Sequence, residues 1–117
     1  MMTMRHLLPA LLATLIMTGC ATRSSLYHWG SYENQVYAMY ADQGKTSPQE
    51  QIAQLEADIE KARAANKALP PGHYAHLGYL YFQTGRREQA IASFETEERL
   101  FPEARPYMTR LIARAKQ

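Results

Sequence analysis

The sequence predicts an all-α fold, a short stack of about five antiparallel helices that follows a cleaved amino-terminal segment. Apolar residues recur at steps of three and four, the spacing of one helical face, and no segment sustains the period-two alternation typical of half-buried strands. Residues that start and end helices also divide the chain beyond residue 26 into segments of helical length. We expect one domain, because 117 residues can bury only one core of useful size.

The amino-terminal segment has the pattern of an export signal. Arg5 precedes an apolar stretch over residues 7–17, which is shorter than the roughly 20 helical residues that cross a bilayer. A short apolar stretch after a positive charge is typical of a signal peptide. The stretch ends in Met17-Thr18-Gly19-Cys20, which resembles the lipobox of bacterial lipoproteins.

The lipobox resemblance implies that the Cys20 thiol is acylated and that the chain is cut between Gly19 and Cys20. Residues 1–19 are then a signal peptide, residues 20–25 a lipidated tether and residues 26–117 the helical domain. Ala21 stands where Asp is the usual signal for retention in the inner membrane. The resemblance therefore implies a lipid anchor in the inner leaflet of the bacterial outer membrane, with the domain facing the periplasm.

Composition argues against several other classes of protein. Cys20 is the only cysteine, so an intramolecular disulfide is excluded. The 13 Lys and Arg nearly balance the 11 Asp and Glu, and the charges are interspersed along the chain. This pattern offers no basic stripe for nucleic acid.

The boundaries of the first two helices follow from local signals. Ser31 is a candidate cap for a helix that runs to about Asp42, with Tyr32, Val36, Met39 and Tyr40 on one face. Ser47-Pro48-Gln49-Glu50 combines a capping Ser, an early Pro and a reciprocal Glu, and predicts the start of the second helix. The second helix carries an apolar seam and is ended by Pro70 and Pro71. We interpret its charged residues, including Glu56 and Asp58, as a solvated face.

Three further helices are expected, over about 73–83, 87–100 and 104–116. The turn Thr84-Gly85-Arg86 is so short that the two helices it joins must be antiparallel neighbours. Pro102 separates the last helix, which offers Tyr107, Leu111 and Ile112 for packing. Glu95, Glu97 and Glu98 are interpreted as solvated surface.

The third and fourth helices carry a spaced motif: Tyr74, Leu77, Gly78 and Tyr81, then Ala90 and Phe94, then Pro102. The motif resembles the tetratricopeptide repeat, with Tyr74 where that pattern most often has Trp. In the resemblance, Gly78 and Ala90 are small where the helices approach most closely, and Leu77, Tyr81 and Phe94 fill the space beside them. Glu97 departs from the pattern, which usually has a small residue there. The first two helices would form a degenerate neighbouring repeat, and the last helix would cap the stack.

The whole precursor resembles an uncharacterised family of small proteobacterial lipoproteins that share a domain of unknown function. The lipobox, the aromatic run over residues 26–33, and Val36-Tyr37 with Tyr40 carry the resemblance. Such proteins tend to be encoded beside lipoproteins that resemble the curli secretion channel. The resemblance implies a role in an outer-membrane lipoprotein assembly.

Catalytic and metal sites are not expected. The serines lie in no nucleophile-elbow context, and no glycine-rich phosphate loop occurs, so we predict that the protein is not an enzyme and needs no cofactor. His73 and His76 lie three apart and His28 could join them, but no thiolate or carboxylate is placed to complete a metal site. We interpret these histidines as exposed.

These observations favour a non-enzymatic adaptor that binds another envelope protein, such as a curli-secretion-channel-like lipoprotein. Candidate partner-binding residues are Trp29, Tyr32, Tyr37 and Tyr79, and His76 and Gln83 are further candidates for the concave face. For the aromatic segment around Tyr27, Trp29 and Tyr32, burial in the core and exposure at an interface both remain open. The alternative function is recognition of peptidoglycan or a small envelope ligand.

Overall fold

The computed structural model describes residues 24–117, so the lipobox and the expected cleavage site at Gly19 and Cys20 lie outside the described residues. The described part is all-α, which confirms the predicted class. Its helices are α1 (Tyr32–Ala41), α2 (Pro48–Ala64), α3 (His73–Gln83), α4 (Arg87–Leu100) and α5 (Arg105–Ala115), with a 3-10 turn over Pro102–Ala104. Within residues 24–117 the only β-type pairing is an isolated bridge between Tyr27 and Ala68.

The start of α2 is fixed by the capping box that the sequence predicts. The Ser47 hydroxyl accepts a hydrogen bond from the Glu50 N–H, and the Glu50 carboxylate accepts the Ser47 N–H at 2.9 Å. The helix ends at Ala64, before the two prolines, because Asn66 takes a left-handed conformation with φ of 50°. The helix α2 therefore ends before Pro70 alone would end it.

The core forms where four helices meet. The α3 and α4 helices pack against each other most extensively, α5 packs on α4, and α2 packs on α3. Each side chain of the cluster is at least nine-tenths buried, and burial of one such large apolar side chain stabilises the fold by about 1.5–3 kcal/mol. The cluster consists of Ile52, Leu55, Leu77, Leu80, Tyr81, Ala90, Phe94 and Met108.

Gly78 lies at the closest approach of α3 and α4. A β-carbon placed there would stand 2.6 Å from Cε1 and 2.8 Å from Cδ1 of Phe94, and 3.2 Å from the carbonyl oxygen of Ala90. Ala90 itself is fully buried. Phe94 therefore occupies the space that a larger residue at position 78 would need.

The interpretation of the charged residues as solvated is wrong for Asp58 and Glu97, which are only 3% and 2% exposed. Both carboxylates are covered because each binds backbone N–H groups of a distant segment. Glu56 lies on the exposed side of α2, yet its carboxylate accepts a hydrogen bond from the hydroxyl of Tyr81.

The histidines of α3 are also placed differently from the sequence interpretation. His73 and His76 are 0% and 8% exposed, because Tyr32 packs on both rings. In α5, Tyr107 was expected to pack but is 61% exposed, and the neighbouring Met108 enters the core instead. Leu111 and Ile112 pack against the core as expected, so the packing face differs from the prediction only at its first residue.

Asp58 attaches the segment before α1 to the side of α2. Its carboxylate accepts hydrogen bonds from the Ser31 N–H at 2.7 Å and from the Ser31 hydroxyl at 2.6 Å. Gly30 has φ of 50°, and a β-carbon on it would collide with the Asp58 carboxylate. Ser31 was expected to cap α1, but its side chain makes no capping hydrogen bond and is directed to Asp58 instead.

Glu97 caps α3 from the neighbouring helix α4. The residue before α3 is Gly72, which has no side chain to accept the free N–H groups of the first turn. The Glu97 carboxylate accepts the Gly72 N–H at 2.6 Å and the Ala75 N–H at 3.3 Å. One remote side chain thus performs both halves of a capping box.

Candidate functional site

A groove of about 430 Å³ runs between α1, α3 and α5. The α3 helix forms its floor, and α1 and α5 form its walls. Three tyrosines around it are substantially exposed, with Tyr40 at 72%, Tyr79 at 38% and Tyr107 at 61%. The side chains that define the groove are Tyr32, Met39, Tyr40, His76, Tyr79, Tyr107 and Leu111.

Helical spacing brings these side chains to the groove. Val36 lies one turn beyond Tyr32 on α1, Met39 and Tyr40 lie about two turns beyond it, and Leu111 lies four residues after Tyr107 on α5. The α3 segment from His73 to Gln83 contains no Asp, Glu, Lys or Arg. The floor of the groove is therefore uncharged at neutral pH unless a histidine binds a proton.

His76 remains neutral at pH 7. Burial and, to a lesser extent, the neighbouring His73 lower the pKa of His76 to about 4. The buried Nε2 of His76 has no hydrogen-bond partner among the described residues, although the ring lines the groove. A neutral imidazole has one donor nitrogen and one acceptor nitrogen, so one hydrogen-bonding position of His76 is unused among the described residues.

Tyr32 supports the groove from the side of α1. Its ring lies 5.8 Å from that of His73 and 6.3 Å from that of His76. Burial raises the pKa of the Tyr32 hydroxyl, and the negative charge of Glu97 raises it further. A β-carbon on Gly72 would collide with this hydroxyl, so the glycine makes the close approach possible.

Of the four residues that we predicted to bind a partner, two line this groove and two do not. Tyr32 and Tyr79 line it. Tyr37 is 64% exposed on α1 but is not part of the lining, and Trp29 lies outside the groove, between Tyr27 and Tyr32. Tyr32 is thus half-buried and supports the wall of the groove, whereas Trp29 keeps 40% of its surface exposed.

A smaller cavity of about 140 Å³ adjoins the groove and shares Tyr79 and Leu111 with it. Gln83 and Arg114 line this cavity. Among the described residues, no carboxylate lies within 4 Å of Arg114. The adjoining cavity is therefore bounded by a positive charge that has no carboxylate partner within residues 24–117.

The residues of the repeat motif converge between α3 and α4, with exceptions at its two ends. Leu77, Gly78, Tyr81, Ala90 and Phe94 are all buried there. Burial raises the pKa of Tyr81, and its hydrogen bond to Glu56 raises it further.

The two ends of the motif are less buried. Tyr74 is half-buried and packs edge-on against His73 at 5.8 Å, and Pro102 is exposed at the start of the 3-10 turn. Their placement makes them boundary residues of the hairpin rather than part of its interior.

Sequence reasoning missed Tyr107 and Leu111 as groove residues, and Asp58 and Glu97 as buried acceptors. The spacing of four between Tyr107 and Leu111 was visible, but it was assigned to the core. A signal for Glu97 was also present, because Gly72 cannot cap α3 and the first turn of α3 contains no acidic residue. A helix start without a local side-chain acceptor leaves its first N–H groups to water or to an acceptor from a distant segment.

Within residues 24–117, no three residues of His, Cys, Asp or Glu come together in a group that could hold a metal ion. None of the helices in this range combines the length and the apolar character needed to cross a membrane.

The geometry defines an all-α domain whose odd-numbered helices surround a tyrosine-lined groove. The chain belongs to the family described as Domain of unknown function (DUF4810), whose model matches residues 26–111. No curated protein and no solved structure matches the chain significantly.

Proposed function

We propose that this protein is a non-enzymatic adaptor that binds a segment of another envelope protein in the groove between α1, α3 and α5. The observation that carries the proposal is the exposure of Tyr40, Tyr79 and Tyr107 around one cavity. Tyrosine combines a large apolar ring with a polar tip and is enriched in the residues that dominate binding energy at protein interfaces.

The chemistry of the groove favours a particular kind of segment. An uncharged floor and exposed tyrosine rings suit apolar or aromatic side chains, and the tyrosine hydroxyls suit a backbone amide, a carbonyl or a hydroxyl. Arg114 at the end of the adjoining cavity suits an acidic group. The volume of about 430 Å³ accommodates a few side chains of a partner, not a whole domain.

We further propose that the helices form a short tetratricopeptide-like stack. The close approach of α3 and α4 at Gly78, the antiparallel turn between them, and the packing of α5 on α4 support this assignment. In such a stack the first helix of each pair lines the concave face, and α1, α3 and α5 are the helices that line the groove.

The lipid anchor on Cys20 and the address in the inner leaflet of the outer membrane are part of the same proposal. The motif Met17-Thr18-Gly19-Cys20 and the following Ala21 support them. A partner anchored in the same leaflet would be bound at a raised effective concentration, so a modest groove affinity would suffice. The family resemblance makes a curli-secretion-channel-like lipoprotein the first candidate.

Three matched tyrosine variants test the role of the groove. Tyr79→Ala and Tyr107→Ala remove rings from the groove, whereas Tyr37→Ala removes a ring of α1 outside it that is about as exposed as that of Tyr107. Each full-length variant is expressed in the native host cells and purified from them in mild detergent. Co-purifying proteins are identified by mass spectrometry. We expect one protein to be recovered with wild type and Tyr37→Ala and to be lost with the two groove variants.

Direct binding of the recovered protein then measures the contribution of the rings. Truncation of one dominant ring costs about 2 kcal/mol, which is roughly a thirtyfold rise in Kd. Equal recovery and equal Kd in all four proteins would contradict the proposal.

Recognition of a glycan is the second candidate, because exposed tyrosine rings around a groove also suit stacking on sugars. A titration with soluble peptidoglycan fragments separates the two candidates. Saturable binding that is lost in Tyr79→Ala but kept in Tyr37→Ala, without a recovered protein, would assign the groove to the glycan.

A further inference from the structure

A second surface lies on the opposite side of α3 from the groove. Tyr74 lines a cavity of about 330 Å³ there, whereas Ala75, His76 and Tyr79 face the groove. On a helix, residue 74 projects about 140–160° away from residues 76 and 79, so one molecule at each surface would not exclude the other.

Exposed apolar side chains lie in this second surface and in the chain segment beside it. Leu26 is 77% exposed, Leu100 46% and Trp29 40%. Tyr27 connects them, because it lines the cavity together with Leu100, packs edge-on against Trp29 at 6.2 Å and directly follows Leu26 in the chain. We call Leu26, Tyr27, Trp29 and Leu100 the tether-side patch.

Positive charge flanks the tether-side patch. Lys67 and Arg63 both line the cavity beside Tyr27. Arg63 is paired with Glu60 at 2.9 Å, whereas Lys67 has no carboxylate within 4 Å among the described residues. Lys67 also neighbours Ala68, whose carbonyl accepts the N–H of His28 at 2.8 Å and so fixes the aromatic segment beside the charge.

The chain that precedes the patch is short. Ser24 is the first described residue, and only three residues lie between it and Cys20. Fully extended, the four Cα-to-Cα steps from Cys20 to Ser24 span at most about 14 Å. If Cys20 carries the lipid, Ser24 stands within that distance of the bilayer surface, and Leu26, where the tether-side patch begins, within about 21 Å of it.

We propose that the tether-side patch rests on the anionic leaflet in which Cys20 is anchored, with Leu26 and Trp29 in the interfacial layer and Lys67 beside the head groups. The inference depends on the proposed lipid anchor but not on the groove. Tryptophan and tyrosine favour the interface between bilayer and water, and a lysine near an anionic surface is attracted to it. In this orientation the groove on the other side of α3 remains open to a partner.

Trp29 is the only tryptophan of the chain, so its fluorescence reports its own environment. The full chain is processed in cells, purified and reconstituted into vesicles of phosphatidylethanolamine and phosphatidylglycerol, with and without brominated acyl chains. We expect a blue-shifted emission that the brominated chains quench.

Two variants separate docking of the patch from anchoring. Leu26→Asp is expected to reduce the quenching while the protein still floats with the vesicles, since the lipid remains attached. Tyr37→Asp, at an equally exposed position outside the patch, is the matched control and should leave the quenching unchanged.

The outcomes distinguish the two proposals. Flotation with the vesicles without quenching of Trp29 would overturn docking and leave the anchor standing. Failure to float would overturn the anchor, and docking with it. An emission shift that requires an added partner protein would assign Trp29 to that protein and would also overturn membrane docking.

Discussion

Replacement of Gly78 by Ala tests the close approach of α3 and α4 with the smallest possible change. The new β-carbon would stand 2.6 Å from the Phe94 ring and 3.2 Å from the carbonyl oxygen of Ala90. Ordinary contacts are about 3.5–4 Å, so the ring of Phe94 would have to move by about 1 Å. Phe94 is only 1% exposed, and overpacking of such a site costs about 1–3 kcal/mol.

An opposing effect sets the net magnitude. Alanine is favoured over glycine in a helix interior by up to about 1 kcal/mol. We therefore expect Gly78→Ala to lower the free energy of unfolding by about 1–2 kcal/mol. For a domain of under 100 residues, this lowers Tm by roughly 4–16 °C.

Urea and thermal unfolding, followed by circular dichroism, measure this loss in the full chain. Phe94→Leu is the partner variant, because it removes the ring that the new methyl group meets. The double variant should lose less stability than the sum of the two single variants, with a coupling of at least about 0.5 kcal/mol. A Gly78→Ala protein as stable as wild type, or strict additivity in the double variant, would refute the packing argument.

Three further predictions concern the anchor and the buried ionisable groups. Cys20→Ala should abolish labelling by a fatty-acid probe in cells, and equal labelling of the variant would contradict the lipid anchor. Glu97→Ala leaves the Gly72 N–H without its acceptor and should cost about 1–3 kcal/mol, whereas Glu97→Gln, which keeps an oxygen, should recover part of the loss in urea unfolding. Unfolded His76 binds a proton near pH 6.5 but the folded residue only near pH 4, so stability should fall by up to about 3 kcal/mol as pH drops through this window. The lowered pKa of His73 also reduces stability as pH falls, whereas the raised pKa of Glu97 increases it. The free energy of unfolding of His76→Gln, measured as a function of pH, should therefore change less with pH than that of wild type.

Local chemistry made the helices predictable. The Ser47 and Glu50 capping box lies within four residues, and its partners are therefore visible in the sequence. The predicted bounds of α3 and α4 agree with the structure because Gly72 precedes the first and a three-residue turn separates the two. The seam of α2 likewise places Ile52 and Leu55 in the core.

Contacts between distant segments were not predictable in the same way. Periodicity places Asp58 and Glu97 on the polar side of their helices, but only the folded chain brings Ser31 and Gly72 to them. The groove depended on which of two neighbouring residues of α5, Tyr107 or Met108, is buried. With Tyr107 in the core there would be no outer wall, and the sequence alone did not distinguish Tyr107 from Met108 as the buried residue.

The two buried carboxylates have a consequence for how the domain unfolds. Asp58 binds a backbone N–H 27 residues away, and Glu97 binds one 25 residues away. Helical repeats often unfold one unit at a time, because each unit contacts only its neighbours. Here the loss of α4 would leave the first turn of α3 without its acceptor, and the loss of α2 would release the start of α1. The domain should therefore melt in one cooperative transition, in which the amide hydrogens of Ser31 and Gly72 exchange with solvent no faster than those of the core.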